Sequence, residues 1–296
     1  MFHVNRASLC ALPILLSATS GFADETTKGC HFVYRAAVVG ERIAQQVVIH
    51  SDVQSTISQS DQVVSSEERR VRTEQLREIT VLEADRQKSV MVQLTYRQAR
   101  IIDSTQPDAI RTRPQAVANK SYIASRRRDE LIVTYPDGTL PPRKELDIVE
   151  ANMRSVGKPN PLALFLRDRT VQVGERMELP PELARELFGE KSAAESAQRI
   201  TLDLQSLQTF DGAQFAVLEI TMVTDDGEPQ TGTLVVETSS CRTRSINLNT
   251  IVDTEVRRGP DGHTFLVTNR GTAHVSVQAT YRVATRSKPA IRQPTR

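Results

Sequence analysis

Apolar and polar residues alternate along most of the chain, and this alternation predicts long β-strands. From Val47 to Ile57 apolar residues fall on one face of an extended segment and polar residues on the other. A period of two over a dozen residues is the pattern of a half-buried strand. Residues 62–82 and 89–96 repeat the pattern as returning strands, which predicts an antiparallel meander. Residues 103–120 are polar and contain prolines, which predicts a loop.

The same alternation returns from residue 200 onward, where three Asp-Gly pairs separate the apolar segments. These pairs stand at residues 211–212, 226–227 and 261–262. Asp-Gly favours the tight turn of a hairpin because both residues tolerate positive φ. We therefore predict a second β-meander, which ends near residue 283.

Two segments have helical spacing instead. Between Leu146 and Val156 apolar residues recur at intervals of three and four, after two prolines and before Gly157. This spacing predicts a helix over residues 143–156, because proline opens helices and glycine ends them. A shorter helix is predicted over residues 181–188.

The N-terminal residues have the order of a cleavable secretory signal peptide. Arg6 supplies a positive charge, residues 9–16 form a short apolar run, and residues 17–23 are mostly small. An N-terminal membrane anchor is the alternative, but the run is shorter than the roughly 20 residues that a bilayer requires. We predict a signal peptide at residues 1–23, export to a periplasmic or extracellular location, and no membrane span in the mature chain.

Two cysteines remain after this cleavage, Cys30 and Cys241. An even pair in an oxidising compartment favours a disulfide between them. The alternative of two separate buried thiols stays open, because the sequence does not show whether the two residues approach each other.

Composition narrows the classes of function. Aromatic residues make up 4% of the chain and tryptophan is absent, which argues against platforms that stack sugars or single-stranded nucleic acid. The net charge is +2, and it falls to +1 when the signal peptide removes Arg6, so no overall field favours nucleic acid. Residues 285–296 are basic and contain prolines, which predicts a disordered tail.

The chain contains none of the common catalytic, metal-binding or nucleotide-binding sequence motifs. Gly-x-Ser-x-Gly, His-Glu-x-x-His, Cys-x-x-Cys and Gly-x-Gly-x-x-Gly are all absent. Carboxylates at residues 225–228 suggest a calcium loop, but the Asp-Gly turn already explains them. We therefore predict no catalytic residue, no metal ligand, no cofactor and no enzymatic activity.

One short segment occurs twice. Residues 38–42 (VVGER) return as residues 172–176 (QVGER), which keeps an internal duplication open. Gly40-Glu41 and residues 171–179 and 244–257 together resemble secreted bacterial β-sheet proteins of uncharacterised function, reminiscent of lipoprotein-carrier-like periplasmic folds. The resemblance implies a sheet that curls around an apolar hollow, and it assigns a role to no residue.

The patterns together predict a mainly β protein of long antiparallel strands, with one medium and one short helix. We expect an N-terminal β half at residues 24–157 and a C-terminal β-meander half at residues 158–284. Whether the sheet curves into a half-barrel stays open. The predicted function is that of a non-enzymatic binding or envelope-associated protein, which presents the sheet to a hydrophobic ligand or an envelope protein. The alternatives are an interaction protein with a filled core and an enzyme of unrecognised type.

Overall fold

The computed structural model describes residues 28–59, 62–86, 88–106, 108–183, 197–224, 229–258 and 265–282. Within them the chain is mainly β, as predicted. Several predictions fall outside these ranges: the signal peptide at residues 1–23, the tail at residues 285–296, most of the helix at residues 181–188, and the turns at residues 226–227 and 261–262. No helix in the described part is long and apolar enough to cross a membrane.

The first half of the chain is an antiparallel meander. After β1 (Gly29–His31) come three long strands, β2 (Arg42–Gln59), β3 (Gln62–Ala84) and β4 (Ser89–Asp103). Three shorter strands follow, β5 (Arg111–Pro114), β6 (Ser121–Arg127) and β7 (Glu130–Thr134). The prediction of a loop over residues 103–120 is wrong in part, because β5 pairs with β4 there. β5 was not predicted because all four of its residues are exposed, so its sequence does not alternate between apolar and polar residues.

The second half forms the meander predicted from the Asp-Gly turns. Its strands are β8 (Thr170–Gln172), β9 (Arg176–Glu178), β10 (Ala197–Phe210), β11 (Ala213–Thr224), β12 (Pro229–Glu237), β13 (Arg242–Arg258) and β14 (Phe265–Arg282). The turn between β10 and β11 has φ of 49° at Asp211 and 76° at Gly212. The positive φ expected of an Asp-Gly hairpin is therefore present at that turn.

A single antiparallel sheet unites twelve of the described strands. Its order is β7-β6-β4-β3-β2-β14-β13-β12-β11-β10-β9, with β5 beside β4, whereas β1 and β8 pair only with each other. In the middle of the sheet, β2 pairs with β14 over 18 residues. Strands from both ends of the chain thus lie side by side at the centre.

One face of this sheet is apolar across its width, and we call it the covered face. Residues paired in register lie on the same face of a sheet. Two rows of such residues run across the strands: Leu94, Ile79, Ile43 and Tyr281 in one, and Val277, Ile246, Leu234, Leu218 and Leu204 in the other. The alternation along each strand places these residues on one side and polar residues on the other.

Two helices pack on the covered face. α1 (Arg143–Asn152) lies over a cluster formed by β3, β4, β6 and β7, and α2 (Pro161–Leu166) over a cluster formed by β9–β12. The predicted helix at residues 143–156 is four residues too long, because Met153 and Val156 lie in turns after α1 yet stay buried. α2 was not predicted, because its six residues are all apolar and therefore show no helical period.

The two copies of the repeated segment form the same turn. Gly40 and Gly174 have φ of 83° and 87°. The carboxylates of Glu41 and Glu175 each accept a hydrogen bond from the backbone N–H three residues earlier, at 3.2 and 2.9 Å. In both copies the glycine N–H also donates to a carbonyl on the neighbouring strand, β3 or β10. The repeat in the sequence is thus a repeat of local structure.

A buried carboxylate anchors α1 to the sheet. Glu145 accepts hydrogen bonds of 2.6 Å from Lys120 Nζ and from the hydroxyls of Tyr122 and Tyr135. Burial opposes ionisation of Glu145, but the hydrogen bonds from the three donors outweigh it and hold its pKa below the ordinary value. The charged form of Glu145 therefore stabilises the fold.

Glu145→Gln should lower the free energy of unfolding at pH 7 by about 1–3 kcal/mol, because charge-assisted hydrogen bonds are lost. The native protein should lose the same contribution as the pH falls from 4.5 through the lower pKa of the folded state. Urea unfolding of both proteins across this range measures the difference, which should narrow towards acid. Asp147→Asn, at an exposed ion pair of α1, is the control. A difference that is independent of pH would contradict the assignment.

Gly271→Ala should destabilise the centre of the sheet. Gly271 lies on β14, and an added Cβ would overlap the carbonyl oxygen of Asp52 on β2 and come within 2.8 Å of the Val53 Cα. Because backbone atoms cannot move aside like a flexible side chain, we expect a loss of about 1–3 kcal/mol in urea unfolding. Thr272→Ala, at the exposed neighbour, should cost much less. Equal losses would show that the close approach of β2 and β14 is unimportant.

Candidate functional site

A hollow of about 430 Å³ opens on the covered face between the two helices, and we call it the trough. Its floor is formed by the central strands, with Ile43, Ile79, Ile246, Val277, Ala279 and Tyr281. Its other side is formed by the connection between α1 and α2, residues 153–160, which we call the strap, and by the start of α2. The trough is partly open to solvent.

The trough exists because the covered face is packed at its two ends and only partly packed between them. Fully buried residues gather under α1 and under α2 in two separate clusters. The apolar residues of the central strands, among them Ile43, Ile246 and Leu248, are only partly buried against these clusters. A continuous apolar face with an uncovered middle is the geometry of a site for an apolar molecule, and its volume lies within the range of about 300–1,000 Å³ usual for small-molecule sites.

Arg126 holds the strap in place. Its Nε donates to the carbonyl of Val156 at 2.7 Å, and its Nη2 donates to the carbonyl of Arg154 at 2.8 Å. The strap is also bonded to β4, because Gly157 N–H donates to the carbonyl of Ser89 at 2.8 Å. The side chain therefore replaces the hydrogen bonds that the strap carbonyls lose where α1 ends.

A buried ion pair lies at one end of the trough. Arg242 Nη2 is 2.6 Å from both carboxylate oxygens of Glu41, whose side chain is 1% exposed. The guanidinium of Arg242 also lies 5.1 Å from the ring centre of Tyr281, and burial raises the pKa of that phenol to about 12. Removing one partner of such a pair would leave an uncompensated buried charge. The pair therefore fixes the start of β2 against the start of β13.

The two cysteines lie in the same cluster under α2. Cys30 on β1 and Cys241 at the end of the trough are both buried, and both are free thiols in the structure. Burial, with smaller contributions from Asp168 and Cys30, raises the pKa of Cys241 to about 11. The structure thus brings the predicted pair into one cluster, and a disulfide between them stays a prediction.

A second hollow, of about 600 Å³, lies along the far half of the central strands. His50 and His274 meet there with ring centres 6.4 Å apart, and His274 Nδ1 is 2.8 Å from Asn249 Oδ1. Burial, with Arg72 and His274, lowers the pKa of His50. In the described part of the chain no three His, Cys, Asp or Glu side chains are arranged to hold a metal ion. Most of the side chains that line this hollow are polar or charged, so it is a weaker candidate than the trough for an apolar molecule.

No polar residue that shapes the trough was predicted from the sequence as a site residue. Glu41 and Arg242 are 201 positions apart, so no local pattern links them. The one available signal was the repeated Gly-Glu pair, which marked Glu41 as a turn residue without showing its ion pair. The strap was only partly anticipated, through the helical spacing that ends at Gly157.

No family model matches the chain, and no curated protein matches it. Among solved structures it is similar to a structure of lipid–protein interactions in lipovitellin, with 10% identity and a TM-score of 0.41 over 86% of this chain and 26% of that one. The chain thus spans about a quarter of that protein.

Two further structures are of the lipoprotein-carrier class that the sequence resemblance named. One is a LolA superfamily protein from Nitrosomonas europaea, with 11% identity and a TM-score of 0.18 over 82% of this chain and 86% of that one. The other is a putative outer membrane lipoprotein-sorting protein domain from Vibrio parahaemolyticus, with 11% identity and a TM-score of 0.21 over 84% of this chain and 87% of that one. All three TM-scores are below 0.5, so the similarity does not define the fold of this chain.

Gly157→Ala should displace the strap. Gly157 has φ of 75°, and an added Cβ would overlap the Cβ of Arg126. Gly138→Ala is a matched control, because Gly138 has φ of 87° but open space around it. Both variants carry the strain of positive φ, about 1–2 kcal/mol, so any further loss at Gly157 measures the overlap. We expect a larger loss of thermal stability and faster amide exchange at residues 153–160 in Gly157→Ala. Equal effects in the two variants would contradict this role of Arg126.

Proposed function

We propose that the protein is a non-enzymatic binding protein, and that the trough receives a hydrophobic ligand. The trough itself supports the proposal, because an apolar face shared by all the central strands is left partly uncovered beneath the strap. Exposed apolar surface is unfavourable by about 25 cal/mol per Å². A ligand that covers the floor of the trough would remove this penalty.

The alternative of an interaction protein with a filled core fits the structure less well. A filled core would bury Ile246 and Leu248 as completely as Leu218 and Leu234, which lie on the neighbouring strands of the same face. Leu218 and Leu234 are buried, whereas Ile246 and Leu248 are only partly so. The packing loosens at the centre of the sheet, where the strap crosses it, and this supports the binding function.

We extend the proposal to an exported carrier. The order of charge, apolar run and small residues at residues 1–23 supports export. Export places the trough in a compartment where an apolar molecule must be shielded from water between membranes or partners. An envelope protein that delivers or accepts the ligand is the partner that this role requires.

The proposal is tested by extracting the purified protein with organic solvent and analysing the extract by mass spectrometry. One bound amphiphile per chain, absent from an identically treated variant with a blocked trough, supports the binding function. Bare protein that also fails to take up an apolar probe in solution overturns it and favours the filled-core alternative.

Val277→Glu is that blocked variant. Val277 lies on the floor of the trough and is half-buried, so a carboxylate there occupies apolar space without disrupting a packed cluster. We expect N-phenylnaphthylamine, an uncharged fluorescent apolar probe, to bind at least about tenfold more weakly, since the larger and charged side chain occupies the apolar floor that the probe would cover. Gln278→Glu places the same charge on the exposed opposite face and should leave binding unchanged. Similar affinities for the two variants would place the probe outside the trough.

A further inference from the structure

The charges around the trough are unbalanced. Its lining contains one carboxylate, Glu41, and six basic side chains: Arg35, Arg77, Lys88, Lys158, Arg242 and Arg244. The whole chain, by contrast, has 38 basic and 36 acidic residues. The excess of positive charge is therefore a local property of the trough.

Three of the six basic side chains have a nearby carboxylate. Arg242 is paired with Glu41 at 2.6 Å, and longer distances of 3.9 Å separate Lys88 from Asp85 and Arg244 from Glu237. Among the ion pairs within the described residues, none involves the remaining three. Arg35 and Lys158 are exposed, so water screens their charges. Arg77 is the exception, because it lies on the covered face.

Arg77 is held in a fixed position but is not neutralised. Its Nε donates to Gln45 Oε1 at 2.9 Å, and its guanidinium interacts with the hydroxyl of Tyr96. Asn152, at the end of α1, donates to the same hydroxyl at 2.7 Å. Arg77 Nη1 is buried and has no hydrogen-bond partner in the structure. A buried N–H without an acceptor is unfavourable, and more so when the group is charged.

We propose that the trough selects amphiphiles with a single anionic head, and that Arg77 binds the oxygens of that head. The inference rests on the proposed function and names the class of ligand. A guanidinium presents paired N–H donors that match the oxygens of a carboxylate or phosphate. A ligand of this kind places its apolar chain on the floor formed by Ile246 and Val277 and supplies the acceptor that Nη1 lacks. Arg77 is then a binding residue, and Gln45 and Tyr96 are the residues that position it.

A binding role and a structural role of Arg77 predict different effects of its substitution on stability. A structural arginine would have its N–H groups satisfied in the free protein, and replacing it would lower stability. Arg77 instead lines the trough and keeps one buried donor unsatisfied, and burial lowers the pKa of its guanidinium. Replacing it with an apolar residue of similar length should therefore leave the stability of the free protein unchanged or raise it.

The experiment measures the displacement of N-phenylnaphthylamine by four single-chain oleoyl compounds below their micellar concentrations. Oleate and oleoyl lysophosphatidic acid are anionic, mono-oleoylglycerol is uncharged, and oleylamine is cationic. We expect the native protein to prefer the anionic compounds by about tenfold or more over mono-oleoylglycerol. A preference for oleate over lysophosphatidic acid identifies a carboxylate as the natural head, and the reverse identifies a phosphate.

Arg77→Met should lose this preference while it keeps its affinity for mono-oleoylglycerol within about twofold, and Arg77→Lys should be intermediate because a single ammonium replaces the paired donors. Arg72→Met is the matched control, because Arg72 is exposed on the same strand and pairs with Glu74. It removes one charge from β3 and should leave the preference unchanged.

Three outcomes would overturn the proposal. Equal affinity of the native protein for anionic and uncharged compounds would do so while leaving the binding function intact. If Arg72→Met also lost the preference for anionic compounds, that preference would be an effect of net charge and not of Arg77. A lower unfolding midpoint of unliganded Arg77→Met, together with weaker binding of every compound, would assign Arg77 a structural role. Failure of the native protein to bind the probe in the trough at all would remove the proposed function itself.

Discussion

The pairing of β2 with β14 is the interaction on which the rest of the structure depends. It joins the first long strand to the last one over 18 residues and so makes one sheet out of two meanders. Each meander is local in sequence and carries its own apolar cluster under its own helix. Only the backbone hydrogen bonds between β2 and β14 make the two apolar faces continuous. Gly271 marks how closely the two backbones approach, because there is no room for a side chain there.

The trough follows from this junction. Among the described residues α1 lies over the cluster of one meander and α2 over that of the other, and the strap lies over the seam between them at the centre of the covered face. The buried Glu41–Arg242 pair lies at the same seam, since Glu41 precedes β2 and Arg242 begins β13. The covering elements are held by apolar packing in two separate clusters and by polar contacts, from Arg126 to the strap and from Glu145 of α1 to the sheet. The apolar floor is left free for another molecule as a result.

The sequence predicted what depends on local patterns. Alternation gave the long strands, Asp211-Gly212 gave a turn, and residues 38–42 and 172–176 marked a repeated turn because Gly40 and Gly174 both need positive φ. Where burial does not alternate, prediction failed: α2 is apolar on all sides, and β5 is exposed on both. The end of α1 was misplaced because Met153 and Val156 stay buried beyond the helix and continue its spacing.

The polar residues of the site were beyond reach for a different reason. Glu41, Arg77 and Arg242 come from distant parts of the chain. In the sequence Glu41 reads as a turn residue, and the two arginines read as ordinary charged strand residues. The three residues differ from other charged residues in the partners that the fold gives them. Glu41 is paired with Arg242, whereas Arg77 Nη1 has no acceptor. The order of strands is set by which edges meet, and the sequence of each strand carries no information on that choice.

The place of β14 in the sheet also governs how the chain reaches its native state. Until residues near 282 have been synthesised, β2 and β13 are both open edges, and each meander exposes half of an apolar face. Such edges and faces pair readily with other chains. A chain interrupted before β14 is therefore expected to aggregate and not to give a smaller folded unit. Native contacts that join the two ends of the chain also make for slow folding, so the newly made polypeptide exposes these edges for longer before the last strand pairs.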